Sequence, residues 1–98
     1  MDLIIRKAGK DDIDALSALL GKLFSMETDF VVDREKQKAG LELFLADSDD
    51  RIIFVALFDE VIVGMVTCQL VVSTAVGGYS ILLEDMYIVD TFRQEGIG

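Results

Sequence analysis

The run Arg93-Gln94-Glu95-Gly96-Ile97-Gly98 has the types and spacing to hold an anion. Two glycines let backbone N–H groups approach closely, and a helix opening just beyond would add the positive end of its dipole. Such a loop can grip a pyrophosphate with few lysines. It lacks the G-x-G-x-x-G spacing of a dinucleotide fingerprint and the G-K-[ST] of a P-loop. As a spacing alone it is short, and an ordinary glycine turn satisfies it as well. Other chemistries are excluded by residue type. The sequence has no histidine and a single cysteine, Cys68. That removes Ser–His and Cys–His nucleophiles, most zinc sites and any internal disulfide. Cys68 lies in an apolar run and reads as a buried, inert thiol.

The charge balance narrows the partners. Nine Lys and Arg stand against eighteen Asp and Glu, a formal charge of -9. Nucleic acid, which calls for basic patches, is not an expected partner. A cationic ligand such as an amine suits the balance, as does plain solubility. No signal-peptide layout opens the sequence and no apolar run reaches membrane-spanning length, so a cytoplasmic protein without membrane contact is expected. The apolar fraction, 52%, is high for 98 residues. A chain of this size buries a modest share of its surface, so part of its apolar surface is expected to meet a partner subunit or further chain.

The elements that must position the glycine loop follow from periodicity. Leu3–Lys7 is short and β-branched and reads as a strand. Asp11, with Asp14 three residues on, predicts a helix start, and Ile13, Leu16, Leu20, Leu23 and Phe24 give that helix one apolar face. Residues 25–32 read as a loop with Met26 and Phe30 as apolar plugs. Asp33 predicts the cap of a second helix running to about Ala46, with Leu41, Phe44 and Leu45 on its buried face. Gly40 weakens that helix. Arg51–Phe58 and Val61–Val72 read as two central strands of a hairpin, although Asp59-Glu60 is not a favoured turn pair. Gly64 suggests a bulge or a close contact. Gly77-Gly78 marks a second turn, and Ser80–Val89 a further strand leading into the glycine loop. The expected core is Ile4, Leu16, Leu20, Leu23, Phe44, Ile53, Val55, Val63, Val66 and Leu82. The predicted class is α+β, with order β-α-α-β-β-β and an antiparallel central sheet, in one domain spanning residues 1–98.

The stretch Leu83-Glu84-Asp85-Met86-Tyr87-Ile88-Val89-Asp90-Thr91-Phe92-Arg93-Gln94-Glu95-Gly96-Ile97-Gly98 resembles the central motif of the GNAT superfamily of N-acetyltransferases. In that motif an apolar strand runs into an Arg/Gln-x-x-Gly-x-Gly/Ala loop that grips the pyrophosphate of acetyl-CoA. The element order matches the front of that fold, and Glu84-Asp85 is similar to the central strand of diamine and polyamine acetyltransferases. Asp90 departs from the proline of many members. The resemblance implies acetyl-CoA as co-substrate and a small-molecule or peptide primary amine as acceptor, attacked directly. It implies a cofactor site of Met86, Tyr87, Ile88, Arg93, Gln94, Glu95, Gly96, Ile97 and Gly98, with the backbone of Met86–Ile88 pairing with the amide-bearing arm.

Amine acetylation needs an unprotonated amine, and a carboxylate at the cleft can take the proton. Glu84 and Asp85 are the candidates. Alternation along a strand sends them to opposite faces, and the resemblance favours Glu84. A solvated or ion-paired carboxylate is the alternative role for either. Tyr87 reads as core or cleft wall. Met26, Glu27, Asp29 and Phe30 fall where the family lines its acceptor site, and the two acids suit a cationic amine or an exposed acidic loop. The sequence stops inside the resembling motif, so a truncated domain is expected. A non-catalytic fragment that acts through self-association, by an open sheet edge or an apolar face, is the alternative to the enzyme. Such a chain is expected to bind acetyl-CoA weakly or not at all.

Overall fold

The computed structural model of the chain describes residues 3–26, 33–46, 48–93 and 97–98. Its elements are β1 (Leu3–Lys7), α1 (Ile13–Ser25), α2 (Arg34–Leu45), β2 (Arg51–Phe58), β3 (Val61–Ser73), β4 (Gly78–Leu83) and β5 (Tyr87–Ile88). The class is α+β, as the periodicity predicts. The strands form one sheet in the order β1-β2-β3-β4, with β5 also on β3, and each pairing is antiparallel.

A 3-10 turn, Lys10–Asp12, leads into α1. The acid that holds the turn is Asp12, not Asp11. Its Oδ2 accepts from the Gly9 N–H at 2.8 Å. Its two oxygens also accept from the Arg6 guanidinium at 2.8 and 3.0 Å, which ties β1 to the helix start. Asp33 caps α2 as expected, accepting from the Lys36 N–H at 3.2 Å. Gly40 does not break α2.

Both helices cover one face of the sheet. Ile53, Val55, Met65 and Tyr87 on that face pack against Leu16, Leu19, Leu20 and Leu41. Of the expected core, Leu16, Leu20, Ile53, Val55 and Val63 are buried, while Leu23, Phe44 and Val66 are half-buried. Ile4 and Leu82 are exposed instead. They lie on β1 and β4, the outer strands, while the helices pack against β2, β3 and β5 at the middle of the sheet. The opposite face carries Phe54, Leu70, Val72, Tyr79, Ile81 and Leu83, all exposed.

The β2–β3 hairpin turns at Asp59 and Glu60, both with positive φ, 49° and 67°. These are the values a two-residue primed turn requires; aspartate takes them readily, whereas Glu60 stands where glycine is favoured. The strand pairing slips one residue between Ala56 and Leu57, opposite Gly64. A Cβ at Gly64 would meet Ile88 Cδ1 at 2.6 Å and the Tyr87 carbonyl at 3.3 Å. The glycine therefore marks both an irregularity and a close approach of β5.

Candidate active site

The largest difference from the sequence reading lies in the expected strand 80–89. It is two strands, β4 and β5, separated by Glu84, Asp85 and Met86. Leu83 pairs with Cys68 and Tyr87 with Met65, so three residues, 84–86, stand opposite two, 66 and 67. One extra residue in one strand is the geometry of a β-bulge. Thr67 holds it: its carbonyl accepts from the Glu84 N–H at 3.1 Å and its Oγ1 from the Asp85 N–H at 3.0 Å. Thr67 is fully buried.

The extra residue reverses which carboxylate faces the helices. In an unbroken strand continuing from Leu83, which shares the open face with Cys68, Glu84 would point to the helix side and Asp85 away. Across the bulge, Tyr87 instead sits in the helix-side core, and Asp85 shares its face. Asp85 is half-buried and lines a cleft between α1, α2 and the sheet, about 280 Å³ in volume, with Thr67, Gln37 and Phe44 among its walls. Glu84 is exposed. Met86 and Ile88 turn to the other face, where they line a smaller cavity of about 120 Å³ with Phe54, Ile97 and Gly98.

Tyr87 is buried core, as its sequence position suggested. Antiparallel alternation leaves the backbone groups of Ile88 on the outer edge of β5, since Val89 donates to the Val63 carbonyl at 2.8 Å. Arg93 takes that edge. Its Nε donates to the Ile88 carbonyl at 2.9 Å, and its Nη1 pairs with Asp90 at 2.8 Å. Its guanidinium also lies 5.1 Å from the Tyr87 ring centre, and its Nη2 donates to Met26 Sδ at 3.8 Å. Met26 and Arg93 thus meet Tyr87 on the helix side, where Asp85 also lies, while Met86, Ile88, Ile97 and Gly98 line the cavity on the opposite face. Glu27, Asp29, Phe30, Gln94, Glu95 and Gly96 lie outside the described residues.

Cys68 is half-buried rather than fully buried, and desolvation pushes its thiol pKa up, in keeping with an inert thiol. Among the described residues no cluster of His, Cys, Asp or Glu could hold a metal ion, and no helix is long and apolar enough to cross a membrane.

No family model matches the chain, and no curated protein matches it. Solved structures do. A possible acetyltransferase from Clostridium difficile 630 superposes with a TM-score of 0.84 at 20% identity, covering 97% of this chain and 62% of that one. A predicted acetyltransferase with acetyl-CoA from Clostridium acetobutylicum gives 0.80 at 20% identity, covering 98% and 66%. AAC(6')-Iy, in complex with the bisubstrate analogue CoA-S-monomethyl-acetylneamine, gives 0.78 at 23% identity, covering 99% and 64%. The chain has part of the GNAT acetyltransferase fold. It spans 62 to 66% of the length of these three structures.

Three residues of this acetyltransferase-fold region escaped sequence reasoning. Thr67, the bulge anchor, is a hydroxyl inside an otherwise apolar strand, and that interruption is its only sequence signal. Gln37 falls four residues before Leu41, on the buried face of α2, where a polar residue breaks the apolar pattern. Asp90 departs from the motif in sequence, and in the structure it forms the ion pair with Arg93.

Proposed function

We propose that this chain carries the acetyl-transfer centre of an N-acetyltransferase that moves the acetyl group of acetyl-CoA to a primary amine. One observation supports the reading: nearly the whole chain superposes on AAC(6')-Iy in complex with a CoA bisubstrate analogue and on a predicted acetyltransferase with acetyl-CoA. The site fits that co-substrate in two respects. The Ile88 N–H lies on the outer edge of β5, where it can meet an amide-bearing arm while Arg93 holds the Ile88 carbonyl, and residues 94–98 follow directly in sequence. With the Arg93 side chain engaged by Ile88 and Asp90, the loop would serve the pyrophosphate through backbone N–H groups.

The acceptor amine, with a free pKa near 10, must first lose a proton. We assign that proton to Asp85, which lines the helix-side cleft and whose backbone is fixed on Thr67. The amine nitrogen then attacks the thioester carbonyl carbon and the C–S bond breaks. CoA leaves as thiolate; the nitrogen loses a second proton as the amide forms, which neutralises the thiolate, while the proton taken by Asp85 passes to solvent. Positioning and proton removal are the protein's contributions. The test is the pH profile of amine-dependent CoA release for Asp85→Asn. A loss of about 10²- to 10⁴-fold in kcat/KM at neutral pH is expected, easing as rising pH deprotonates the amine. An unchanged profile, or a larger loss in Glu84→Gln, would remove Asp85 from the role.

Association of this chain with a second copy is favoured separately by the apolar open face, where Val72, Tyr79, Ile81 and Leu83 are each more than 60% exposed. The charge of -9 opposes it, but that repulsion is screened over about 8 Å at physiological salt. Light scattering tests it: a monomer at high concentration would refute association through this face.

A further inference from the structure

We propose that the Thr67 hydroxyl is the positioning group for the proton acceptor, holding Asp85 rather than Glu84 toward the helix-side cleft. Thr67 pairs with Ile53 and shares its face, the one the helices cover. It is 1% exposed and is the only hydroxyl in the run Val61–Val72. Burying a hydroxyl is costly unless it is bonded, and valine would fill the same space without that cost. The bond it makes is with the Asp85 N–H, which it accepts at 3.0 Å.

The location of that bond decides its role. Leu83 on Cys68 and Tyr87 on Met65 fix the two ends of the bulge. Inside it, the Thr67 carbonyl accepts from the Glu84 N–H at 3.1 Å, so Glu84 is held independently of the side chain at 67. Asp85 differs, because its N–H is met by a side chain. The extra residue of a bulge falls out of the ladder, and the hydroxyl supplies the acceptor that the ladder does not. β-Branching restricts the Thr67 rotamer, which keeps that acceptor in place. The Asp85 carboxylate hangs on the Cα next to the bonded nitrogen, so a slack bulge would carry it away from its place in the cleft. Misplacement of a reacting group by about 1 Å costs as much as 10²-fold in rate. The kinetic part of the proposal rests on Asp85 as acceptor of the amine proton; the anchoring itself does not.

Amide hydrogen exchange and steady-state kinetics, on the protein at its full natural length, test the two parts. In Thr67→Val the Asp85 amide should exchange about tenfold faster relative to the Val89 amide, the effect of losing one buried hydrogen bond. Val89 donates to the Val63 carbonyl and serves as the internal reference. Thr67→Ser keeps the acceptor and should stay near the parent protein in both measurements. Thr67→Ala serves if the valine variant does not fold. The valine variant should also lose about tenfold in kcat with the KM for acetyl-CoA unchanged. In an Asp85→Asn background the same substitution should cost nothing further, because Thr67 acts through Asp85. Asp85 exchange unmoved in Thr67→Val, or a kcat loss that persists in the Asp85→Asn background, overturns the proposal. Faster Asp85 exchange together with an unchanged rate in Asp85→Asn alone would uphold the anchor and overturn the proton assignment instead.

Discussion

Gly64→Ala should destabilise the protein, and Ile88 should account for the loss. The added Cβ would lie 2.6 Å from Ile88 Cδ1 and 3.3 Å from the Tyr87 carbonyl oxygen. The first contact is far inside van der Waals distance, and the second is tight against backbone. Overpacking of this kind costs about 1–3 kcal/mol. Replacing a strand glycine by alanine returns about 0.5–1 kcal/mol of backbone entropy. The net loss is then about 1 kcal/mol, which lowers the melting temperature by roughly 4–8 °C in a domain of this size. Ile88→Val removes the Cδ1 methyl that clashes. In that background Gly64→Ala should be close to neutral, leaving only the milder contact with Tyr87. Thermal unfolding of the four proteins in the cycle measures the coupling. A rise in melting temperature on Gly64→Ala alone, or the same loss in both backgrounds, would refute the close approach of β5 to β3.

Gly40→Ala should have the opposite sign, because a Cβ there meets nothing within 4 Å; a gain of about 1 kcal/mol is expected by thermal unfolding. Glu60→Gly relieves a non-glycine residue at φ 67° and should also raise the melting temperature, by about 1 kcal/mol in stability. Hydrogen bonds from Arg6 hold the Asp12 carboxyl below its ordinary pKa. A depressed folded-state pKa stabilises the fold above the unfolded value, and the contribution fades as pH falls below about 4. Asp12→Asn should therefore lower stability near neutral pH and flatten the acid limb of the stability profile; identical acid limbs would contradict the pairing.

The element order was legible because each element is patterned locally. The alternation of β2 and β3 and the apolar stripe of α1 need no tertiary knowledge. Gly64 announced a close contact, although its partner, Ile88, could not be read from spacing. The bulge at residues 84–86 was not legible, since the run Ser80–Val89 is apolar enough for one strand and nothing local marks the slip. It is set by Thr67, seventeen residues earlier than Glu84, which accepts from two consecutive N–H groups. The face assignment of Glu84 and Asp85 depends on that slip, so it could not be derived from alternation. Ile4 and Leu82 were misjudged because periodicity gives the face of a strand but not how far the helices reach across the sheet.

The proposed acetyl transfer is tested most directly by mass spectrometry of a primary amine, trans-4-aminocyclohexanol, incubated with acetyl-CoA and the protein at its full natural length. The account predicts an N-acetylated amine formed in a one-to-one ratio with free CoA thiol, at a rate that depends on Asp85. Thiol release that proceeds without amine acetylation, or neither product above the protein-free control across a panel of primary amines, would contradict it.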